Sequence, residues 1–349
     1  MFDDPTLPAP LVIAEIGANH DGSVERAIDL VDALVDSGVR CIKLQHYTAA
    51  ELVSDPDRVV EWGPPGRTSS EPVGAMFDRL SLGDDGFARV VEHARSRGAV
   101  PFATPFSLEG LELLLALGMP AVKIASSDVA YEDLLRAAGG AGVPVLMSTG
   151  KATLGEVDAA VAVLREAGCS DISLLHCVAA YPTPADESNV RAIDTLGALF
   201  PDCRIGFSDH SLGLDASRIA LARGAVLVER HVTWSRDADG PDHWFSLEVS
   251  EIAELQAFAS AVAPALGSGA IGISASERFG RRHGTRSLIA ARGLAPGDVL
   301  DEASVVVRRP GTGISPADRD KAIGMEVRAP IAAGEPVTWD ALRAPSDGA

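Results

Sequence analysis

The chain has 349 residues, with 30 lysines and arginines against 49 aspartates and glutamates, and a formal net charge of −19 at pH 7. The length exceeds one ordinary globular domain, but it accommodates a barrel of about 250 residues followed by a small second domain. The acidic balance argues against a nucleic-acid or anionic-membrane partner, and the lack of an uncharged apolar run of about 18 residues argues against a transmembrane helix.

The start of the chain and its cysteines indicate the compartment. Residues 1–10, MFDDPTLPAP, have neither the basic start nor the apolar core of a signal peptide. The four cysteines form no CxxC pair, and Cys41 and Cys177 lie inside apolar runs. We therefore expect a cytoplasmic protein with buried, reduced thiols.

Eight short apolar runs recur along the chain, and each ends in polar residues. They are LVIAEIGANH, CIKLQHY, VPFATPF, AVKIASS, PVLMSTGK, ISLLHCVAAY, RIGFSDH and VLVERH. Amphipathic segments with apolar residues at three- and four-residue spacing alternate with them and predict helices. These segments are 23–37, 84–97, 108–117, 131–141, 154–167, 189–199, 214–223 and 250–265. Gly38 and Gly168 follow two of them, as helix C-termini prefer. The alternation predicts a (β/α)8 TIM barrel over residues 1–266.

Other stretches depart from this alternation. Residues 48–83 form a long insertion after the second strand, and loops of that length are lids, contacts or disordered segments. Residues 267–285, GSGAIGISASERFGRRHGT, are small, polar and then basic, which predicts a linker. Residues 286–349 contain two similar turn-rich segments, LAPGDVLDEA and IAAGEPVTWDAL, and predict a small domain with a thin core.

Two histidines lie at the ends of neighbouring predicted strands. Because side chains alternate along a strand, Ser208 shares the face of His210, and Glu229 shares the face of His231. We expect the two imidazoles to meet at the rim where (β/α)8 barrels bind substrates. Such a pair suits a divalent transition metal, Mn, Zn, Fe or Co, with open positions for water and substrate. We expect the carboxylates of Glu229 and Asp209 to orient the rings.

Lysine is rare, and its placement is informative. The chain has four lysines against 26 arginines, and Lys43, Lys123 and Lys151 lie at or just after predicted strand ends. Amide and hydroxyl side chains converge on the same rim, namely Gln45, Thr104, Ser126, Ser127 and Ser148. Ammonium and hydroxyl groups together predict a site for phosphate and carboxylate. The alternative is that Lys123 is a Schiff-base lysine, which requires a lowered pKa.

Glu15 and the loop 240–243 complete the candidate rim. Glu15 ends the apolar part of the first strand, and its carboxylate could act as a base or hold water on a metal. Residues 240–243, GPDH, follow the eighth strand in a loop that looks stiffer than a plain linker.

Ten of these stretches resemble the sialic acid (nonulosonate) synthase family in order and spacing. They are AEIGANHDG, IKLQ, ATPFS, KIASSD, STGK, LLHCVAAYPTP, GFSDHSLG, ERHVT, GPDH and RPGTGISP. The resemblance is N-acetylneuraminate synthase-like and extends from about residue 11 to residue 343. It includes a C-terminal module similar to the antifreeze-like (SAF) domain of that family.

The resemblance implies an activity and a set of site residues. The family condenses phosphoenolpyruvate with an N-acylated hexosamine, such as N-acetylmannosamine, and forms a nine-carbon 2-keto sugar acid and phosphate. The residues implied to hold phosphoenolpyruvate are Lys43, Gln45, Thr104, Lys123, Ser126, Ser148 and Ser208. Those implied to contact the acceptor sugar are Asp128, Tyr181, Asp242 and Arg309. The implied catalytic set is Glu15, Lys43, Lys123, His210 and His231.

The resemblance also implies a metal and a partner. His210 and His231 would bind the divalent metal, usually Mn2+ in the family with Mg2+ or Co2+ as alternatives, and Glu15 would lie beside its water. The enzyme would be a domain-swapped homodimer in which Arg309 reaches the barrel of the partner subunit. Gly311 and Gly313 would let the backbone approach the sugar closely.

The departures from the family pattern all concern the sugar side. Asp128 stands where many members have Glu, and Ala179, Trp244 and Asp21 also differ. The identity of the acceptor sugar therefore stays undecided between N-acetylmannosamine, a diacetamido-trideoxyhexose of the legionaminate or pseudaminate type, and another aldose. Two other classes of function compete with the synthase: a Schiff-base pyruvate lyase on the same barrel, and a non-catalytic sugar-binding homologue.

Overall fold

The computed structural model describes residues 10–345. Contacts within the chain divide it into two compact units, one up to Gly267 and one from Ser268 onward. No helix in this part of the chain is long and apolar enough to cross a membrane.

The first unit is a closed barrel of eight parallel strands. The strands are β1 (Leu11–Glu15), β2 (Cys41–His46), β3 (Val100–Pro105), β4 (Val122–Ile124), β5 (Val145–Ser148), β6 (Ile172–Cys177), β7 (Arg204–Asp209) and β8 (Leu227–Thr233). Each pairs with its neighbours in chain order, and β1 pairs with β8 to close the ring. The predicted TIM barrel is confirmed.

The strands are apolar because both of their faces are buried. Inward-facing side chains such as Ile13, Phe102 and Leu146 form one cluster, and outward-facing ones pack under the helices. Each fully buried side chain of this size stabilises the fold by about 1.5–3 kcal/mol. Two residues after Ile13, Glu15 occupies the next inward position of β1, and two residues after Cys41, Lys43 occupies that of β2. The apolar part of the barrel therefore supports a polar upper layer.

Eight helices surround the barrel. They are α1 (Val24–Asp36), α2 (Gly83–Ser96), α3 (Leu108–Ala116), α4 (Glu132–Gly139), α5 (Leu154–Glu166), α6 (Ala192–Leu199), α7 (Asp215–Ala222) and α8 (Val249–Leu266). The hydroxyl of Ser23 caps α1, and Thr153 caps α5 in a capping box with Glu156. Gly38 and Gly168 follow α1 and α5 with φ of 90° and 105°. These are left-handed conformations that favour glycine, so the predicted helix ends are confirmed.

The insertion 48–83 forms regular secondary structure. It contains a short helix, Ala49–Leu52, an antiparallel hairpin of Val59–Trp62 with Ser69–Pro72, and a helix, Val73–Leu80. The carboxylate of Glu71 accepts hydrogen bonds from Trp62 Nε1 at 2.9 Å and from Arg79 at 2.6 Å. A Cβ at Gly74 would lie 2.5 Å from Pro56 Cβ, so the helix packs closely on the chain before the hairpin.

The second unit is a small β-rich domain. Strand Ser287–Ala290 pairs antiparallel with Val305–Arg308, and Glu326–Val327 pairs with Leu342–Arg343. Its core includes Leu288, Leu300 and Val337. The helix Glu277–Gly284 precedes these strands, so the segment predicted as a linker, 267–285, contains a helix in its second half.

Two glycines of the second unit are required by packing. A Cβ at Gly311 would lie 1.8 Å from Thr285 Oγ1, and a Cβ at Gly313 would lie 2.6 Å from the Val337 carbonyl oxygen. A larger residue would displace the Thr285 side chain at position 311 and the Val337 backbone at position 313. This reason is independent of the sugar contact that the sequence led us to expect.

Candidate active site

A cavity of about 380 Å³ opens at the carboxyl ends of the barrel strands. It collects most of the predicted site residues into one place. Those that line it are Lys43, Gln45, Thr104, Lys123, Ser126, Ser148, Lys151, Tyr181, Ser208, His210, His231 and Asp242. Glu15 does not line it, because this fully buried carboxylate lies beneath Lys43.

The ammonium group of Lys43 is held by three neighbours. Its Nζ lies 2.7 Å from Glu15 Oε2, 3.2 Å from Thr104 Oγ1 and 3.8 Å from Glu229 Oε2. Gln45 Nε2 donates to the other oxygen of Glu15 at 2.7 Å. The strand register explains the contact between Lys43 and Glu15, since these two residues pair directly across β1 and β2.

The ammonium group of Lys123 lies on β4, two strands along the ring from that of Lys43. Its Nζ donates to Ser148 Oγ at 2.6 Å and lies 3.9 Å from Glu229 Oε2. Ser208 Oγ donates to Glu229 Oε1 at 2.9 Å. Glu229 therefore connects Ser208 on the neighbouring strand β7 with Lys43 and Lys123 in the barrel interior.

Burial and charge set the protonation of these groups. Burial lowers the pKa of Lys123. Burial also disfavours the charge of Lys43, but the carboxylates of Glu15 and Glu229 outweigh it and raise the pKa of Lys43. Burial would raise the pKa of Glu229, but the ammonium groups of Lys123 and Lys43 hold it at about 2. The site therefore contains an ionised carboxylate between two amines.

The two predicted histidines meet at the rim. The ring centroids of His210 and His231 lie 5.4 Å apart. Burial lowers the pKa of both imidazoles to about 3, so both rings are neutral near pH 7. His210 Nδ1 lies 3.1 Å from the Val178 carbonyl oxygen. Because that oxygen only accepts, the proton belongs on Nδ1, and Nε2 of His210 keeps its lone pair.

The surroundings of His231 fit a divalent metal. Its Nδ1 is buried without a hydrogen-bond partner and lies 3.6 Å from Asp242 Oδ2. A Cβ at Gly17 would lie 3.1 Å from that nitrogen and 3.3 Å from Glu15 Oε1, so glycine leaves room there. Within residues 10–345, no three His, Cys, Asp or Glu side chains form a ligand cluster. The protein's contribution to a metal site would thus centre on the two imidazoles.

The expected role of the two carboxylates beside the histidines is wrong. Asp209 points to the outer face of its strand, where Oδ2 lies 2.5 Å from Arg230 and accepts from Ser217 Oγ at 2.5 Å. Glu229 faces inward but contacts Lys43 and Lys123. Neither carboxylate orients an imidazole ring.

The residues implied for the sugar are only partly brought together. The Tyr181 ring lies 4.3 Å from that of His210, and burial raises the pKa of Asp242 to about 6. Asp128 lies in the turn after β4 and does not line the cavity, and burial raises its pKa to about 6. Arg309 belongs to the second unit, where it is exposed directly after the strand Val305–Arg308.

Sequence reasoning missed some residues of the cavity. Met76, Phe77 and Leu80 line it and come from the insertion helix Val73–Leu80. The amphipathic pattern of that helix was a usable signal, but no local pattern indicates which cavity an insertion covers. Gly17, which lies beside His231 and not in the cavity lining, was also missed, although its left-handed φ of 53° is typical of glycine.

The fold and the site place the chain in a known class, a TIM barrel with a polar, histidine-bearing rim followed by a SAF domain. The chain belongs to the NeuB family, whose model matches residues 30–271, and the SAF domain model matches residues 285–343. The resemblance to the sialic acid synthase family is confirmed.

Relatives of the chain are sugar-acid synthases. It is 31% identical to the N,N'-diacetyllegionaminic acid synthase of Campylobacter jejuni, over 90% of this chain and 94% of that protein. It is 29% identical to the pseudaminic acid synthase of Helicobacter pylori, over 96% and 98%. The solved structure of a sialic acid synthetase from Leptospira borgpetersenii superposes with a TM-score of 0.71 at 31% identity, covering 78% of this chain and 90% of that one.

Proposed function

We propose that the protein condenses phosphoenolpyruvate with an N-acylated hexosamine, giving a nine-carbon 2-keto sugar acid and phosphate. The observation that carries the proposal is a single cavity into which two buried amines and two neutral imidazoles project. This composition suits an anionic co-substrate at one end and a metal-assisted carbonyl at the other. The relatives, which are legionaminic and pseudaminic acid synthases, support the same class of reaction.

Phosphoenolpyruvate would bind at the lysine end. Thr104 and Ser148 accept hydrogen bonds from the amines of Lys43 and Lys123. Their own hydroxyl protons are thereby free to be donated to phosphate or carboxylate oxygens. Ser126, Ser208 and Gln45 extend this set along the same cavity. Ammonium and hydroxyl donors together would fix the orientation of the enol and neutralise its charge.

His210 and His231 would hold a divalent metal, for which we propose Mn2+. When bound, the metal supplies Lewis acidity toward the aldehyde oxygen of the open-chain sugar. Neutral rings and an unpartnered Nδ1 of His231 support this assignment.

The reaction then joins C3 of phosphoenolpyruvate to the sugar aldehyde carbon, which becomes a secondary alcohol. Water adds to C2, and the C2–O bond breaks to release phosphate and leave the ketone. The ammonium groups of Lys43 and Lys123 would stabilise the departing dianion. Glu15, ion-paired to Lys43 at 2.7 Å, would maintain that charge.

The acceptor would lie at the outer end of the cavity. Tyr181 and Asp242 line that end next to the histidines. We propose Arg309 of the partner subunit as a further contact in a swapped homodimer. Asp128 does not line the cavity and would need to move into it to contact the acceptor sugar.

One observation favours a second function, a Schiff-base pyruvate lyase. Burial lowers the pKa of Lys123, as a nucleophilic amine requires. In that reaction, however, neither the second buried amine nor the histidine pair has a role. Borohydride reduction with pyruvate would trap a covalent adduct on Lys123 only if this second function is the real one.

A direct assay tests the proposal. The protein is incubated with phosphoenolpyruvate, Mn2+ and a panel of N-acylated hexosamines, and phosphate release and product mass are measured. A product equal in mass to the sugar plus pyruvate, formed with stoichiometric phosphate, is expected. If no hexosamine consumes phosphoenolpyruvate, the proposal is wrong.

A further inference from the structure

The loop after β8 contains a buried histidine that lies outside the cavity. His243 is the last residue of the segment GPDH, 240–243, and Asp242 precedes it. His243 is 2% exposed and does not line the cavity, whereas Asp242 does. The two neighbouring side chains therefore face in different directions, one into the cavity and the other into the protein.

Both ring nitrogens of His243 contact other segments of the barrel. Nε2 lies 3.0 Å from Asp21 Oδ1 in the loop after β1, and Nδ1 lies 2.7 Å from Thr233 Oγ1 at the end of β8. Burial would raise the pKa of Asp21, but the hydrogen bond with His243 and the charges of His243 and Arg26 outweigh burial and lower it. The carboxylate is thus an ionised acceptor to which Nε2 donates. His243 thereby joins the loop after β1 to the end of β8.

The chain just before Asp242 packs directly on this ion pair. A Cβ at Gly240 would lie 2.6 Å from His243 Cδ2 and 3.2 Å from Asp21 Oδ1. A side chain at position 240 would therefore displace the imidazole ring. The backbone on the amino-terminal side of Asp242 rests on the His243–Asp21 pair.

A second connection holds the chain just after His243. Asn19 Nδ2 donates to the Val232 carbonyl oxygen at 2.7 Å and to Ser246 Oγ at 2.8 Å. Ser246 Oγ in turn donates to the Asp242 carbonyl oxygen at 2.6 Å. Strand pairing resumes only at Leu247, which pairs with Val232. Side-chain contacts therefore fix the segment before it, residues 240–246, which we call the 240–246 turn.

The 240–246 turn presents two groups to the histidine pair. Asp242 Oδ2 lies 3.6 Å from His231 Nδ1. The ring of Phe245 meets that of His231 edge-on, with centroids 5.4 Å apart. The rim beside His231 is thus built partly by a turn whose position depends on contacts made outside the cavity.

We propose that His243 is a positioning residue, whose contacts with Asp21 and Thr233 hold the 240–246 turn so that the Asp242 carboxylate stays beside the histidine pair. The inference rests on the proposed function, in which Asp242 contacts the acceptor sugar. Without the imidazole, the turn loses its connections to the loop after β1 and to the end of β8. A displacement of about 1 Å at a substrate-positioning group costs up to about a hundredfold in rate.

Steady-state kinetics of His243 variants test this role, with phosphoenolpyruvate, Mn2+ and the hexosamine of the panel that gives the highest kcat/KM. His243→Ala should lower kcat/KM for the hexosamine by about tenfold to a hundredfold. The KM for phosphoenolpyruvate should stay within about twofold of the wild type, because the buried amines lie on β2 and β4. His243→Gln, which retains an amide donor for Asp21, should lie between His243→Ala and the wild type.

Two controls separate positioning from a general loss of stability. His93→Ala removes another His–Asp pair, at 2.7 Å between α1 and α2, and should keep the wild-type kinetics of both substrates. A double-mutant cycle with Asp242→Ala measures the coupling directly. If His243 acts through Asp242, His243→Ala should change kcat/KM for the hexosamine by less than about threefold in the Asp242→Ala chain.

The outcomes distinguish this inference from the proposed function. Wild-type hexosamine kinetics in both His243 variants, an equal loss for phosphoenolpyruvate, or the same loss factor in the Asp242→Ala chain would overturn the positioning role while the synthase stands. If the wild type consumes phosphoenolpyruvate with no hexosamine, the synthase itself is overturned, and the role of His243 with it. Should His243→Ala fail to fold, His243→Gln gives the same comparison with the wild type.

Discussion

Two buried amines, those of Lys43 and Lys123, define the phosphate end of the proposed site. Lys123→Met should raise the KM for phosphoenolpyruvate and lower kcat, because a charge-assisted contact of about 1.5–3 kcal/mol is lost. Steady-state kinetics with phosphoenolpyruvate as the varied substrate check this. Lys321→Met in the second unit, where Lys321 pairs with Asp318 at the surface, is the matched control. A change confined to the sugar kinetics would show that the two ends of the cavity are assigned wrongly.

Among the groups around Lys123, Glu229 favours its charged form most strongly. Its carboxylate lies 3.9 Å from Lys123 Nζ and opposes the lowering of the lysine pKa by burial. In Glu229→Gln this opposition is lost, so the pKa of Lys123 falls further and the ammonium deprotonates at lower pH. Lys43, Glu15 and Cys177 also face Lys123 and are unchanged by the substitution.

The pH profile is the measurement for Glu229→Gln. The kcat/KM for phosphoenolpyruvate should decline on its alkaline side at lower pH than in the wild type. At its maximum it should fall roughly tenfold to a hundredfold. Glu92→Gln, an exposed position on α2, should keep the wild-type profile. An alkaline limb that stays in place would contradict the coupling between Glu229 and Lys123.

The histidine pair is the second residue-scale test. His210→Ala and His231→Ala should each abolish turnover and weaken Mn2+ binding, because a site with two imidazole ligands loses half of them. Calorimetric titration with Mn2+ measures binding independently of activity. His93→Ala on α2, where His93 pairs with Asp32, is the control. Full activity after exhaustive chelation would refute the metal assignment.

At the scale of elements, Arg230 joins β7, β8 and the loop after β7. Its guanidinium lies 2.5 Å from Asp209 Oδ2 and donates to the carbonyl oxygens of Ser211 and Gly213 at 2.6 Å and 2.9 Å. Both charged side chains are only 1% exposed. Since Asp209 and Arg230 directly precede His210 and His231, this outer pair fixes the strand ends that present the imidazoles.

Arg230→Met should destabilise the barrel strongly. It leaves the Asp209 carboxylate buried without its partner, which costs about 3–5 kcal/mol. Chemical denaturation measures the free energy of unfolding. Arg136→Met, which breaks the exposed pair with Glu132 on α4, should change it by less than about 1 kcal/mol. Equal effects of the two substitutions would argue against a structural role for the buried pair.

At the scale of the whole molecule, the swapped homodimer stays a prediction from the resemblance. Subunit complementation tests it by mixing an Arg309→Ala chain with a His231→Ala chain under conditions that allow exchange. A swapped heterodimer should regain one intact site, with about half the activity per dimer of the wild type, since one of its two sites is complete. No recovered activity in proven heterodimers would show that Arg309 serves its own barrel or none.

The sequence by itself determined the barrel and the positions of the candidate site residues along its strands. Apolar runs alternating with amphipathic segments specify strand and helix locally, because each pattern follows the period of its own element. Alternation within a strand likewise places Lys43 with Gln45, and Ser208 with His210, on the inward face. Applied to Asp209, the same rule would have placed its carboxylate on the outer face with Arg230.

Only the tertiary structure decided which inward-facing groups meet. Glu229 on β8 reaches Lys43 on β2 and Lys123 on β4, and these contacts cross the ring. The closure of eight strands and the size of the barrel set such distances, and no sequence spacing encodes them. The part of the cavity lined by the insertion has the same origin, since the path of the insertion in space brings Met76 and Phe77 to it. Local periodicity fixes the face on which a side chain lies, whereas chain closure and packing fix what that face meets.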